Sequence, residues 1–361
     1  MPATSAFEPL RFPSGATMRN RFMLAPMTNC QSHTDGQLSD DEYTWLTMRA
    51  RGGFGLTMTS ASHVQAIGQG FPGQLGCFGD IHLDGLTRLA AGIREQGSVS
   101  IVQLHHAGMR SPADLIGEAP VCPSDNAKHG ARALELGEVE QLRDDFIAAA
   151  VRAQRAGFEG VEVHGAHGYI LTQFLSAKIN QREDRYGGDF EGRTRLLFEI
   201  IEGIRARCGA DFILGLRLSP ERFGIDLMEA RELVRRVLDD ATIDFLDLSL
   251  WDTFKQPNDE AHQGKSLLAH FTDLDRKGIP LGVAGKLYSA ADVERALAEG
   301  VDFVSIGRAA VLHHDFPEQV RANPEFTCID LPVSRDYLRG QGLGEAFVTY
   351  MSRWDGFVAK D

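Results

Sequence analysis

The chain has 361 residues, of which 43% are hydrophobic and 24% are charged, as is ordinary for a soluble globular protein with a large core. Its formal net charge of -13 argues against general nucleic-acid binding and against anionic membrane surfaces. We find no apolar run of the roughly 20 residues that cross a bilayer, no signal peptide, and five cysteines too scattered for a metal clamp. These features predict a cytoplasmic protein with no membrane segment and no nucleic-acid partner.

Short apolar runs alternate along the chain with amphipathic stretches. The runs are rich in Val, Ile, Leu and Phe and show little polar alternation, which is typical of strands buried on both faces of a parallel sheet. Eight strands are predicted in chain order, at 22–25, 55–59, 99–104, 160–163, 212–218, 245–250, 280–283 and 303–306.

Helical periodicity fills the gaps between these strands, most clearly at 138–156 and 193–207. A further helix begins at Ser289, whose spacing to Asp292 is an N-terminal capping signature, and it ends at Gly300. Strands joined in this way predict an α/β fold, a (β/α)₈ barrel, with a doubly wound parallel sheet as the alternative. No linker divides the chain, so we expect one domain over 1–361, with the barrel at about 20–320 and an extension at about 321–361.

The ends of barrel strands are where functional residues are expected. The stretch VEVHGAHGYI, residues 161–170, places His164, His167 and Tyr169 just after the fourth strand. Histidines three apart could bind a metal, transfer protons or hold an oxygen atom. A metal-dependent hydrolase that also uses His105 and His106 stays open as an alternative, although no carboxylate stands nearby and zinc motifs on helices generally use a spacing of four.

Other strand ends carry further candidates. Arg217 lies inside the fifth strand, and a buried arginine needs an anionic or strongly accepting partner. The seventh strand runs into AGK, residues 284–286, and the eighth into GR, residues 307–308. Glycines at these two strand ends are typical of the phosphate site of such barrels.

Several long motifs resemble one known family. HGAHGYILTQFLSAKINQREDRYGG (164–188) resembles the signature of the Old Yellow Enzyme family of flavin-dependent ene-reductases. NRFMLAPMTN (20–29), GFPGQLG (70–76), VQLHHAG (102–108) and SIGR (305–308) match further blocks of that family in the same order. The likeness extends from about residue 7 to about residue 320.

This resemblance implies a barrel that holds FMN noncovalently at its mouth. Thr28 would lie near flavin O4, Ala61 would approach the same edge through its backbone, and Gln103 would bind the pyrimidine ring. Arg217 would lie near N1 and O2, where positive charge stabilises the reduced flavin. The remaining implied contacts are the flavin-lining residues Ala25, Pro26 and Met27 and the phosphate-binding residues Gly285, Lys286, Gly307 and Arg308.

The same resemblance implies a reaction. His164 and His167 would donate hydrogen bonds to the carbonyl or nitro oxygen of a small-molecule substrate, and Tyr169 would protonate the α-carbon after hydride reaches the β-carbon. NADH or NADPH would reduce the flavin beforehand. Relatives of the same kind also include dehydrogenases that take hydride from an amine or a saturated carbonyl compound, so this direction remains an alternative.

The sequence departs from the family pattern after HAG, where Met109 precedes the expected arginine, Arg110. Cys30 is expected to be a wall residue near the pocket, and Trp251 and Phe254 are candidate substrate-pocket walls. The loop containing Asn180, Arg182, Asp184 and Tyr186 is expected to be scaffold. The resemblance also implies a possible homodimer or homotetramer.

Overall fold

The computed structural model describes residues 5–240 and 242–360. Eight parallel strands close into a barrel in which each strand pairs with the next along the chain and β8 pairs with β1. The predicted barrel is confirmed, and the alternative of an open doubly wound sheet was wrong. The barrel strands are β1 Phe22–Leu24, β2 Leu56–His63, β3 Val99–His105, β4 Gly160–Gly165, β5 Ile213–Leu218, β6 Phe245–Ser249, β7 Leu281–Ala284 and β8 Phe303–Ile306.

The second strand differs most from its prediction. It continues past the predicted end at residue 59 to His63, with a shift of register between Met58 and Ala61. The polar sequence Ser-Ala-Ser-His hides this extension, because the apolar run stops while pairing with β3 goes on to His105. Register shifts of this kind are frequent at barrel rims and next to active sites.

Helices cover the outside of the barrel. The predicted capping box at Ser289 and Asp292 is confirmed, and Gly300 follows the helix with a φ of +100°. The main helices are α1 Asp40–Arg51, α2 Leu83–Arg94, α3 Leu136–Arg155, α4 Phe190–Cys208, α5 Leu227–Asp240, α6 Ala290–Ala298 and, in the C-terminal extension, α7 Glu345–Met351. Further helices of four to seven residues are Ala113–Ile116, Ile170–Leu175, Ala269–Thr272, Arg308–Leu312, Phe316–Ala322 and Arg335–Gly340.

The interior of the barrel is filled by alternate residues of the strands. Its amino-terminal end is apolar and is covered by a two-stranded ribbon, Leu10–Arg11 and Thr17–Met18. The rings of Phe245 and Phe303 pack directly against Gly215 and Gly282. A Cβ at either glycine would lie 2.1 Å from the neighbouring ring, so neither position has room for a side chain. The side chains of this apolar cluster are Leu10, Phe12, Met18, Met23, Leu56, Met58, Val99, Ile101, Ile213, Phe245 and Phe303.

The loop after β4 is held by its own polar side chains, as predicted. Asn180 donates hydrogen bonds from Nδ2 to the carbonyl oxygens of Phe174 and Tyr186. Arg182 forms an ion pair with Asp184 at 2.6 Å. Among the described residues, we find no helix with the length and apolar character needed to span a bilayer.

Candidate active site

A cavity of about 500 Å³ opens at the carboxyl-terminal end of the barrel. Residues that follow most of the barrel strands line it together with one face of α7. Side chains from distant parts of the sequence therefore meet at this end, as the fold predicts. Those predicted from the sequence that line the cavity are Ala25, Pro26, Met27, Thr28, His167, Tyr169, Arg217, Trp251, Gly285, Lys286, Gly307 and Arg308.

The two histidines of the motif form a directed hydrogen-bond chain. Nδ1 of His164 accepts from the backbone N–H of Ala166 at 3.1 Å, so the ring proton of neutral His164 must be on Nε2. That Nε2 lies 3.2 Å from Nδ1 of His167, which therefore accepts. The proton of His167 is then on its own Nε2, 2.7 Å from the hydroxyl of Ser249. Both rings thus present an Nε2–H donor, and Ser249 is a partner that the sequence did not indicate.

Burial keeps both imidazoles neutral. It is the largest cause that lowers the pKa of His164 well below its usual value, followed by the neighbouring His167 and His105. Burial, and then the positive charges of Arg217, Arg110 and Arg222, lower the pKa of His167 to about 3. Neutral donors can bind an oxygen atom and stabilise negative charge that develops on it.

Tyr169 lies beside the histidine pair. Its ring packs edge-on against His105 at 4.4 Å and against His164 at 5.3 Å between centroids. The guanidinium of Arg110, the arginine that follows Met109, lies 4.8 Å from the centre of the Tyr169 ring. Burial raises the pKa of Tyr169 and Arg110 opposes the rise, so the phenol carries its proton at neutral pH.

A buried polar layer lies inside the barrel at the level of Arg217. Nε2 of Gln103 donates to Oε1 of Glu162 at 2.6 Å, and Nε of Arg217 lies 3.1 Å from Oδ2 of Asp247. Burial is the main cause that raises the pKa of Glu162, to about 8, and that of Asp247. Several buried polar atoms of this layer have no well-aligned hydrogen-bond partner within the described chain. They are Nε and Nη1 of Arg217, Oε2 of Glu162 and both carboxylate oxygens of Asp247.

The ends of β7 and β8 form a narrow basic corner. A Cβ at Gly285 would lie 2.8 Å from the backbone nitrogen of Thr253, so that position has no room for a side chain. A Cβ at Gly307 would come within 4 Å only of Met27 and Ala25, at the end of β1. Lys286 and Arg308 follow these glycines, as predicted, and line the same cavity.

Several predicted residues are not on the cavity wall. Gln103 and His164 are buried, 1% and 4% exposed, and Ala61 uses its carbonyl to accept from Gln74 at 2.7 Å. Cys30 does not line the cavity either, which corrects its prediction as a wall residue; burial raises its pKa to about 11.

Phe254, predicted as a second aromatic wall, does not reach the cavity. It packs instead under the guanidinium of Arg295, 3.8 Å from the ring centre. Trp251, in contrast, lines the cavity as predicted and is 56% exposed.

Two parts of the wall were missed by sequence reasoning. Helix α7 contributes Phe347, Tyr350 and Met351, and Trp354 follows just after it. The spacing of these four side chains is that of one helical face, a signal that was available in the sequence. The loop after β5 contributes Arg222, and its local sequence gave no such signal.

Comparison with known proteins agrees with this geometry. The model of the NADH:flavin oxidoreductase / NADH oxidase family matches residues 5–325. The probable NADH-dependent flavin oxidoreductase YqiG of Bacillus subtilis is 36% identical over 334 residues, which is 88% of each chain. NADH:fumarate oxidoreductase of Klebsiella pneumoniae is 32% identical over 88% of this chain, but the chain spans only 36% of that protein's length.

A solved structure supports the same assignment. The old yellow enzyme homologue from Zymomonas mobilis superimposes with a TM-score of 0.79 and 26% identity, over 96% of this chain and 99% of that one. In the part of the chain that the structure describes, three or more His, Cys, Asp or Glu side chains do not come together where they could hold a metal ion. The chain therefore belongs to the NADH:flavin oxidoreductase / NADH oxidase family, that of the Old Yellow Enzymes, and is an FMN-dependent oxidoreductase that uses NAD(P)H.

Proposed function

We propose that the protein reduces the activated C=C bond of α,β-unsaturated carbonyl or nitro compounds with NAD(P)H. The observation that carries this proposal is the convergence of two neutral imidazoles and a protonated phenol at one end of the cavity, where His167 and Tyr169 lie on the wall and His164 lies directly behind His167. The first two can polarise an oxygen atom, and the third can supply a proton. The family assignment replaces the alternative of a metal-dependent hydrolase.

The residues present fit FMN. Nη1 of Arg217 is buried without a hydrogen-bond partner in the described chain, as suits a residue that serves the acceptor atoms of the flavin pyrimidine. Nε2 of Gln103 donates a hydrogen bond to Glu162. Its amide oxygen would therefore accept a hydrogen bond from a ring N–H of the flavin. Gly285, Lys286, Gly307 and Arg308 would hold the phosphate, and residues 25–28 would lie along the ring. When bound, FMN carries hydride from NAD(P)H to the acceptor.

In this proposal the histidine pair binds the substrate oxygen. In the structure, the Nε2–H of His164 donates to Nδ1 of His167. The Nε2–H of His167 donates to the hydroxyl oxygen of Ser249. A substrate oxygen would replace these acceptors, and the neutral rings would donate to it without adding a charge of their own. Such donors matter most where charge develops in the transition state.

Tyr169 would deliver the proton to the α-carbon. A phenol with a pKa raised by burial is still a competent acid toward a far more basic carbanion. The edge-on contacts with His105 and His164 fix the plane of the ring, and Arg110 covers one face. The aromatic contacts thus hold the hydroxyl in one place.

Anaerobic mixing of the FMN-loaded protein tests the proposal. We expect NADH or NADPH to bleach the flavin absorption and a simple enone such as 2-cyclohexenone to restore it. If an amine or a saturated ketone bleaches the flavin instead, and the enone does not reoxidise the reduced protein, the dehydrogenase alternative holds.

A further inference from the structure

The cavity is basic although the whole chain is acidic. Among the described residues, six cationic side chains but only one carboxylate, that of Glu221, line it, in a protein whose net charge is -13. The excess is therefore local and calls for anionic ligands. The six are Arg110, Arg217, Arg222, Lys255, Lys286 and Arg308.

Three of these charges are balanced by the protein itself. Arg217 pairs with Asp247 at 3.1 Å, and Lys286 pairs with Asp252 at 3.1 Å. Lys255 pairs with Glu221, so the one carboxylate on the wall is already engaged. Arg217 and Lys286 are also assigned to FMN, so these three cations are already engaged.

Three arginines remain. Of these, Arg308 is assigned to the FMN phosphate at the basic corner after β7 and β8. Arg110 and Arg222 make no ion pair with any aspartate or glutamate within residues 5–240 and 242–360. Arg110 donates to the carbonyl oxygen of His167 and covers the ring of Tyr169. The guanidinium of Arg222 lies 5.3 Å from the ring centre of Phe223 and 5.7 Å from that of Trp251.

Both arginines stand next to the reacting end of the site. Both line the cavity together with His167 and Tyr169, Arg110 donates to the carbonyl oxygen of His167, and their positive charges contribute to the lowered pKa of His167. Arg110 acts in the same way on Tyr169. A ligand held by the histidine pair is therefore within the field of both guanidiniums.

The backbone at Arg222 is held in an uncommon conformation. Arg222 and Phe223 have φ values of 73° and 54°, in the left-handed region that non-glycine residues rarely adopt. The neighbouring Ile225 N–H donates to the Arg222 carbonyl at 2.9 Å and closes this turn. Backbone strain of this kind is concentrated at functional sites, here at a residue whose side chain lines the cavity.

We propose that Arg110 and Arg222 form a carboxylate subsite, so that the protein prefers conjugated acceptors that carry a carboxylate close to the activated C=C bond. This inference rests on the proposed function and narrows its substrate class. The histidine pair would hold the activating carbonyl oxygen, and the two guanidiniums would hold the carboxylate. Guanidinium groups suit this task because their fork of N–H donors matches the two oxygens.

The test compares (E)-4-oxopent-2-enoate with its methyl ester. Both contain the same conjugated ketone, and only the acid carries a charge at neutral pH. We expect kcat/KM for the acid to exceed that for the ester by about 10- to 100-fold in the FMN-loaded protein, mainly through KM. The preference should weaken as salt is added, since these arginines are exposed.

Variants separate this subsite from the rest of the machinery. Arg222→Met should remove most of the preference for the acid while the methyl ester and 2-cyclohexenone react as before. Arg110→Met should also remove the preference, but it should slow the ester and 2-cyclohexenone as well, because Arg110 covers the ring of Tyr169, the proposed acid. Arg51→Met is the matched control, because Arg51 is an exposed arginine in the last turn of α1, away from the cavity wall, and this change should leave the preference intact.

The phosphates of the nicotinamide nucleotide are the competing occupant of these arginines. Reduction of the flavin by NADH and by the uncharged 1-benzyl-1,4-dihydronicotinamide distinguishes the two cases. If Arg222→Met slows only NADH and leaves the acid-to-ester ratio unchanged, the carboxylate subsite is wrong. An acid that reacts no better than its ester in the unmodified protein contradicts it equally. If neither the ester nor 2-cyclohexenone is reduced, the proposed function itself fails.

Discussion

At the amino-terminal end of the barrel, β6 and β8 turn the rings of Phe245 and Phe303 inward against an apolar ribbon. Two residues further along the same strands, the inward side chains are Asp247 and Ser305. Strand β3 changes in the same way, as Ile101 gives way to Gln103. One set of strands thus builds an apolar plug at one end and a charged, hydrogen-bonding layer at the other.

The difference teaches where stability and chemistry are located. Apolar side chains gain free energy by burial, whereas a buried carboxylate such as Glu162 or Asp247 is costly unless it is paired or protonated. The charged layer at the carboxyl-terminal (upper) end therefore destabilises the fold locally. The apolar plug at the amino-terminal (lower) end supplies the stability that offsets this cost. Each of the following changes should affect one end of the barrel and spare the other.

The largest effect is expected at the upper end, from Tyr169→Phe. Loss of the proposed acid should slow reoxidation of the reduced flavin by an enone by on the order of 10²–10⁴, while reduction by NAD(P)H stays close to normal. Stopped-flow absorbance measures both half-reactions. A nitroalkene should be affected least, because its reduced product can leave as a stabilised anion.

Tyr350→Phe is the control for that change, since Tyr350 lines the same cavity from α7. It should leave both half-reactions within about twofold of the unmodified protein. Equal slowing of both half-reactions by Tyr169→Phe, or a larger effect from Tyr350→Phe, would show that the acid has been assigned to the wrong residue.

At the lower end, Phe245→Ala should lower the free energy of unfolding by about 3–5 kcal/mol, because it leaves a cavity in a closely packed plug. The surviving folded protein should bind FMN and reduce an enone as before. Phe245→Leu, with a smaller loss of volume, should cost much less. Urea unfolding measures these differences, and a large drop in catalysis with little loss of stability would contradict the separation of the two ends.

A change at the basic corner after β7 and β8 should alter the affinity of the protein for FMN. Arg308→Gln removes a cation from the proposed phosphate site and should raise the Kd of FMN by about 10- to 100-fold. Fluorescence quenching of FMN during titration of the apoprotein measures this Kd. Arg295→Gln, which removes a cation from α6 outside the cavity wall, should leave it unchanged.

The smallest effect concerns pH. Because the pKa of Glu162 rises from 4.5 to about 8 on folding, the folded protein binds this proton more tightly than the unfolded chain. Stability from this group is fully present below pH 4.5 and is lost as pH rises through 8. Glu162→Gln should therefore gain on the order of 1–2 kcal/mol relative to the unmodified protein between pH 7 and 8.5.

Urea unfolding of both proteins at saturating FMN checks this pH dependence. The chosen range avoids the titration of buried histidines such as His63, whose pKa falls to about 4, mainly through burial. A constant difference between the two proteins across this range would mean that Glu162 is ionised throughout.

The sequence by itself determined the elements of the barrel and the ends where its chemistry lies. All eight strands were predicted within a few residues, because apolar, β-branched runs and helical periodicity are local properties of the chain. The cluster of His164, His167 and Tyr169 and the glycines after β7 and β8 were also visible, since each lies in one short segment.

Only the tertiary structure decided which distant residues meet. The proton direction from His164 through His167 to Ser249, the pairing of Arg217 with Asp247, and the contribution of α7 all join segments far apart in sequence. The strand order and register of the closed barrel set the first two of these contacts, and the helical spacing of α7 does not show which wall that helix meets. Arg222 shows the same limit, because its position on the wall depends on how a strained loop folds over the barrel end.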